Sequence, residues 1–105
     1  MEAVVADNRL ALVMADLIRN HKESLQNKYH VSSLALFGSY VRGDQTPESD
    51  VDILVDFVEP GVGFFKFMEL ERVLSNIIAR KVDLVSRGGI KPLVYEHIKD
   101  SLLYI

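Results

Sequence analysis

The feature that most constrains this chain is a pair of short apolar stretches, Val31–Phe37 and Val51–Phe57, separated by a polar loop. Each is short and bounded by turn-forming residues, so each reads as a strand. In the second, Val51, Ile53 and Val55 alternate with Asp50, Asp52 and Asp56. Successive side chains of a strand point to opposite faces. The aliphatic set therefore faces a core, and the acids share the other side. Between the strands, Tyr40-Val41-Arg42 has room for one helical turn, and Gly43-Asp44-Gln45-Thr46-Pro47-Glu48-Ser49 is rich in turn residues.

The rest of the chain must cover that core. From Asp7 to Lys28, Leu10, Val13, Met14, Leu17, Ile18 and Leu25 recur at helical spacing, which predicts one helix capped by Asp7 or Asn8. Phe64 to Arg80 predicts a second long helix. Its apolar positions, from Phe64 and Phe65 to Ile77 and Ile78, exceed one stripe, so it is either deeply buried or shared with a partner. Val82–Val85 reads as a third strand and Gly88-Gly89 as a turn. Pro92 suits the first position of a last helix, and Leu102–Ile105 fits either a helix end or an edge strand. A strand-helix-strand crossover makes the second and third strands parallel, while the first two fit an antiparallel pair. The expected fold class is α/β in the α+β sense: a small mixed β-sheet of three or four strands flanked by helices, one domain over residues 1–105.

Composition narrows the function. With 105 residues, 49% hydrophobic and 26% charged, the chain suits one globular domain. A net charge of −3 disfavours a general binder of nucleic acid or of membrane surfaces. The absence of cysteine excludes disulfides, thiolate chemistry and cysteine-ligated zinc. No apolar stretch approaches the ~18 residues of a membrane span. Met1–Asp7 lacks the marks of a signal peptide, so a cytoplasmic protein is expected. His21, His30 and His97 have no metal-ligand spacing, and His97 reads as a packed residue.

Chemistry concentrates in Phe37-Gly38-Ser39-Tyr40-Val41-Arg42 and in Ser49-Asp50-Val51-Asp52. Two ionised carboxylates at ~6.5 Å repel by ~2.6 kcal/mol at an effective dielectric near 20. A divalent cation turns that penalty into attraction, and Mg²⁺ is held by one or two carboxylates plus phosphate oxygens. Gly38 lets backbone approach a phosphate, and amide and hydroxyl groups at Ser39 suit an anion. Arg42 either adds charge to a phosphate or pairs with Asp44 or Glu48. Asp83, near the start of the third strand, is a third carboxylate, able to share metal or accept a proton. Between Gly38 and Glu59 the acids Asp44, Glu48, Asp50, Asp52, Asp56 and Glu59 face Arg42 alone, which suits a cation-bound nucleotide.

Gly38-Ser39, ten residues, then Asp50-Val51-Asp52 resembles the G-S-x10-D-x-D signature of the nucleotidyltransferase superfamily that includes polymerase β. The short chain, with Val82-Asp83-Leu84-Val85 after a long helix, is most similar to the minimal nucleotidyltransferase (MNT) proteins. The resemblance implies a nucleotidyltransferase fold and Mg-dependent transfer of AMP from ATP. It implies catalytic and metal-binding roles for Asp50, Asp52 and Asp83, and nucleotide binding by Gly38 and Ser39; Arg42 is added here as a further phosphate contact. It also implies a partner, a HEPN-domain ribonuclease toxin whose tyrosine hydroxyl accepts the AMP, with this chain as antitoxin. No motif residue is missing. The alternatives are an antitoxin that neutralises by binding alone, and a subunit acting on a small-molecule hydroxyl. Because no residues remain for an acceptor domain, the acceptor surface is expected from another chain in a homo- or hetero-oligomer, with Phe64–Ile78 as the candidate contact. No direct nucleic-acid contact and no membrane contact are expected.

Overall fold

The computed structural model describes residues 7–105; the signal-peptide reading of the first residues lies outside them. The elements run α1 (Arg9–Arg19), α2 (Lys22–Tyr29), β1 (Val31–Phe37), α3 (Ser39–Arg42), β2 (Val51–Phe57), α4 (Phe64–Ile78), β3 (Val82–Ser86), α5 (Pro92–Ile98) and β4 (Leu103–Tyr104), with short 3-10 turns on either side of α5. The strand order is β3-β2-β1-β4. β1 pairs antiparallel with both β2 and β4, and β2 pairs parallel with β3. The sheet is therefore mixed, with the C-terminal residues as an edge strand.

Alternation along the strands gives the sheet two unlike faces. Leu34 and Leu36 of β1, Ile53 and Val55 of β2, and Val82 and Leu84 of β3 join one core cluster with Met14, Ile18, Leu25, Leu70 and Leu74 from α1, α2 and α4. Ala35 and Leu54 are buried outside that cluster, on the opposite face. Burying a side chain of the Leu70 kind contributes roughly 1.5–3 kcal/mol, so the helix-covered face holds the fold together.

Three expectations need correction. The first helix is two, broken at Asn20-His21, where the His21 N–H donates to the Ile18 carbonyl at 2.9 Å. A straight helix from Asp7 to Lys28 would be about 33 Å long, against roughly 23 Å for a strand of 7 residues. Bending keeps α2 over the core and buries Leu25 and Tyr29. Second, the buried stripe of α1 is Ala11, Met14, Ala15 and Ile18, while Val13 and Leu17 are exposed. The alanines set the contact face, and the spacing of large residues alone misplaces it. Third, α4 ends at Ile78, because Ala79 adopts a left-handed conformation at φ 55°. Only Leu70, Leu74 and Ile78 of this helix are buried. Its first turns leave Phe64 71% and Phe65 84% exposed. No helix among the described residues is long and apolar enough to cross a membrane.

Candidate active site

The register of the sheet brings the motif residues together. Phe37 at the end of β1 is level with Asp52 near the start of β2, and Asp52 is level with Asp83 of β3. Neighbouring strands lie about 4.8 Å apart, so these residues form a row across the face opposite the core. Gly38 follows Phe37 directly and turns the chain into α3. Its φ of 81° and ψ of −152° belong to a region open essentially to glycine. A Cβ added there would lie 3.1 Å from the carboxyl carbon of Asp52 and closer still to its Oδ2. The bend and the acid thus occupy one another's margin.

A cavity of about 360 Å³ opens at this point, lined by Phe37, Gly38, Ser39, Arg42, Ser49, Asp50, Asp52, Asp83 and Ile98. All six residues singled out in the sequence (Gly38, Ser39, Arg42, Asp50, Asp52 and Asp83) line it. Arg42 hydrogen-bonds Asp44, with Nε 3.3 Å from Oδ2, while also lining the cavity. Asp50 is half-buried, and the Lys81 ammonium lies 3.8 Å from its Oδ2. Asp56 is exposed on the same strand and takes no part in the cavity; His97 is exposed, not packed as its spacing suggested.

Charge crowding marks Asp52 out. Partial burial, then the negative charges of Asp83 and Asp50, push its carboxyl up to about 6, against a smaller opposing pull from Arg42. No three side chains among the described residues are already drawn together as a preformed metal cluster. The donor chemistry nevertheless fits a hard divalent cation. Three carboxylates border one cavity, and Asp52, partly buried, is disfavoured as an anion by that burial and by the charges of the other two.

One cavity residue, Ile98, and one neighbour of the site, Lys81, lay beyond the sequence reading as site residues. Ile98 reaches the site from α5 as an ordinary apolar helix position, so nothing in its local pattern marks it. Lys81 sits beside Asp50 because the Val51 N–H bonds its carbonyl at 2.9 Å, a consequence of the parallel β2–β3 pairing.

This architecture is that of a nucleotidyl-transferring α+β protein, and comparison with known proteins agrees. Residues 18–105 match the family model described as the nucleotidyltransferase domain. A Methanocaldococcus jannaschii chain provisionally named protein adenylyltransferase MJ0128 is 48% identical over 91 residues, 86% of this chain and 92% of that one. Protein adenylyltransferase MntA of Thermococcus cleftensis is 38% identical over 90 residues, covering 85% and 89% respectively. The structure of a tri-AMPylated Shewanella oneidensis HEPN toxin in complex with MNT antitoxin contains a chain of the same fold. It has a TM-score of 0.62 at 19% identity and covers 90% of this chain and 70% of that one. The chain belongs to the nucleotidyltransferase family.

Proposed function

We propose that this nucleotidyltransferase moves AMP from ATP to a tyrosine hydroxyl of a HEPN-domain partner and acts as that partner's antitoxin. The observation that carries the reading is the shared cavity, in which a glycine–serine bend abuts Asp52 with Asp50 and Asp83 beside it. The names of the relatives, protein adenylyltransferases, support the reaction type. The partner class draws on the MNT–HEPN complex that shares the fold.

In this reading Gly38 and Ser39 receive the triphosphate on backbone amides and the serine hydroxyl, and Arg42 adds positive charge at its edge. Asp50, Asp52 and Asp83 are the residues that would hold Mg²⁺. When bound, the metal neutralises phosphate charge and aligns the reacting oxygens. The chain's own part is positioning and proton transfer. Asp83, exposed at the cavity rim, accepts the proton of the incoming hydroxyl. The hydroxyl oxygen bonds to the α-phosphorus as the bond to pyrophosphate breaks. Ser39 and Arg42 hold the departing pyrophosphate.

The test is incubation with labelled ATP, Mg²⁺ and the product of the neighbouring gene. Label on a partner tyrosine, lost in Asp50→Asn and Asp52→Asn, supports the reading; no label with any variant refutes it. A second reading, neutralisation by binding alone, draws on the exposed apolar start of α4 at Phe64, Phe65 and Met68. There Asp52→Asn still neutralises the partner, and Phe65→Asp does not.

A further inference from the structure

The geometry points to Glu71 and Ser75 as positioning residues for Asp83, an inference that rests on the role proposed for that carboxylate. β3 is an edge strand, with β2 on one side and, among the described residues, no strand on the other. In a parallel pair each residue turns its N–H and C=O to one neighbour, alternating along the chain. The Lys81 carbonyl accepts from Val51, so Asp83 and Val85 also face β2, and Val82 and Leu84 face outward. Those outward N–H groups are not left to solvent. The Val82 N–H donates to Ser75 Oγ at 3.1 Å, and the Leu84 N–H donates to Glu71 Oε2 at 2.9 Å.

The two acceptors stand four residues apart on α4 and therefore on one face of it. The two bonds bracket Asp83 in the chain, one residue before it and one after. The helix that carries the chain from β2 to β3 thus also fastens β3 from outside. Asp83 itself is exposed, and among the described residues no hydrogen bond restrains its side chain. Its height relative to Asp52 is set by the backbone, and the clamp fixes that backbone on the side where β2 cannot. An edge strand of five residues held on one side only opens readily. A merely protective role, blocking the edge against foreign strands, predicts the same bonds but no link to the site.

The experiment separates these. In the full chain, Glu71→Leu speeds amide exchange at Leu84 by about five- to tenfold, the loss expected from one hydrogen bond, while Glu71→Gln, which keeps an acceptor, restores slow exchange. Manganese titration of the same proteins shows affinity lowered several-fold by Glu71→Leu and recovered in Glu71→Gln. In an Asp83→Asn background, Glu71→Leu causes no further loss of manganese affinity. Unchanged exchange at Leu84 overturns the clamp. Additive losses in the double variant overturn its action through Asp83. If Asp83→Asn alone leaves manganese binding intact, the role proposed for Asp83 fails, and the exchange measurement still decides whether the clamp exists. Ser75→Ala, read at the Val82 amide, repeats the test should Glu71→Leu not fold.

Discussion

Gly38 and Asp52 meet so closely that one added carbon on the glycine would collide with the carboxylate. The contact joins the end of β1 to the start of β2, and it couples a backbone requirement to an acidic side chain. Gly38→Ala is expected to be costly twice. The positive φ of 81° penalises any side chain, by about 1–3 kcal/mol, and Asp52 must move. Displacement of a reacting group by about 1 Å can cost ~100-fold in rate. Urea denaturation with a transfer assay checks both effects; wild-type activity in a folded Gly38→Ala would contradict them.

Asp52 is also held against its own electrostatics. Burial and the charges of Asp83 and Asp50 disfavour its ionised form in the folded state. Asp52→Asn removes that penalty while keeping the shape. In buffer with EDTA the variant is expected to be more stable than wild type by roughly 0.5–2 kcal/mol, the gain common for a single stabilising substitution. Added Mg²⁺ should stabilise wild type and not the variant. Thermal melts with and without metal read this directly.

Tyr29 illustrates a purely structural acid–base pair. Its hydroxyl donates to Glu69 Oε2 at 2.6 Å. Burial, then the hydrogen bond and charge of Glu69, raise the phenol to about 12, against a smaller pull from Arg72. The folded state therefore binds the proton more tightly than the unfolded chain, whose tyrosine ionises near pH 10. The stabilisation is complete below pH 10 and is lost as pH rises toward 12. Wild type should lose on the order of 1–2 kcal/mol more than Tyr29→Phe between pH 9 and 11.5. Glu69 shifts the other way, lowered first by the Tyr29 hydroxyl and then by the charges of Lys28, Lys66 and Arg72. Its contribution is present at neutral pH and disappears as pH falls through its lowered value.

Along α4 two apolar positions should behave oppositely. Leu70 is fully buried and Phe65 is 84% exposed. Leu70→Ala is expected to cost about 2–5 kcal/mol, and Phe65→Asp no more than roughly 0.5 kcal/mol. Chemical denaturation of the two variants checks the contrast. A large loss for Phe65→Asp would place it in the fold's own packing.

What the sequence made legible follows from periodicity. Alternation in Val51–Val55 identified which face of β2 carries acids, and the strand-helix-strand order identified β3 as its parallel neighbour. Together these brought Asp83 beside Asp52 and all the marked residues to one cavity. The break at Asn20-His21 was hidden because Ile18, Leu25 and Tyr29 stay in phase across it. Exposure of Val13, Leu17 and Phe65 was equally hidden: spacing shows which positions are apolar, not what covers them. Ile98 enters the site only through tertiary folding, so no local signal announces it.

The most direct test of the shared acidic cavity is a crystal of the chain with Mn²⁺ and a non-hydrolysable ATP analogue, read by anomalous scattering. A manganese peak within ligand distance of Asp50 and Asp52, with phosphate oxygens on the Gly38–Ser39 backbone, is the predicted result. Nucleotide bound away from Gly38, or a peak touching none of Asp50, Asp52 and Asp83, would contradict it.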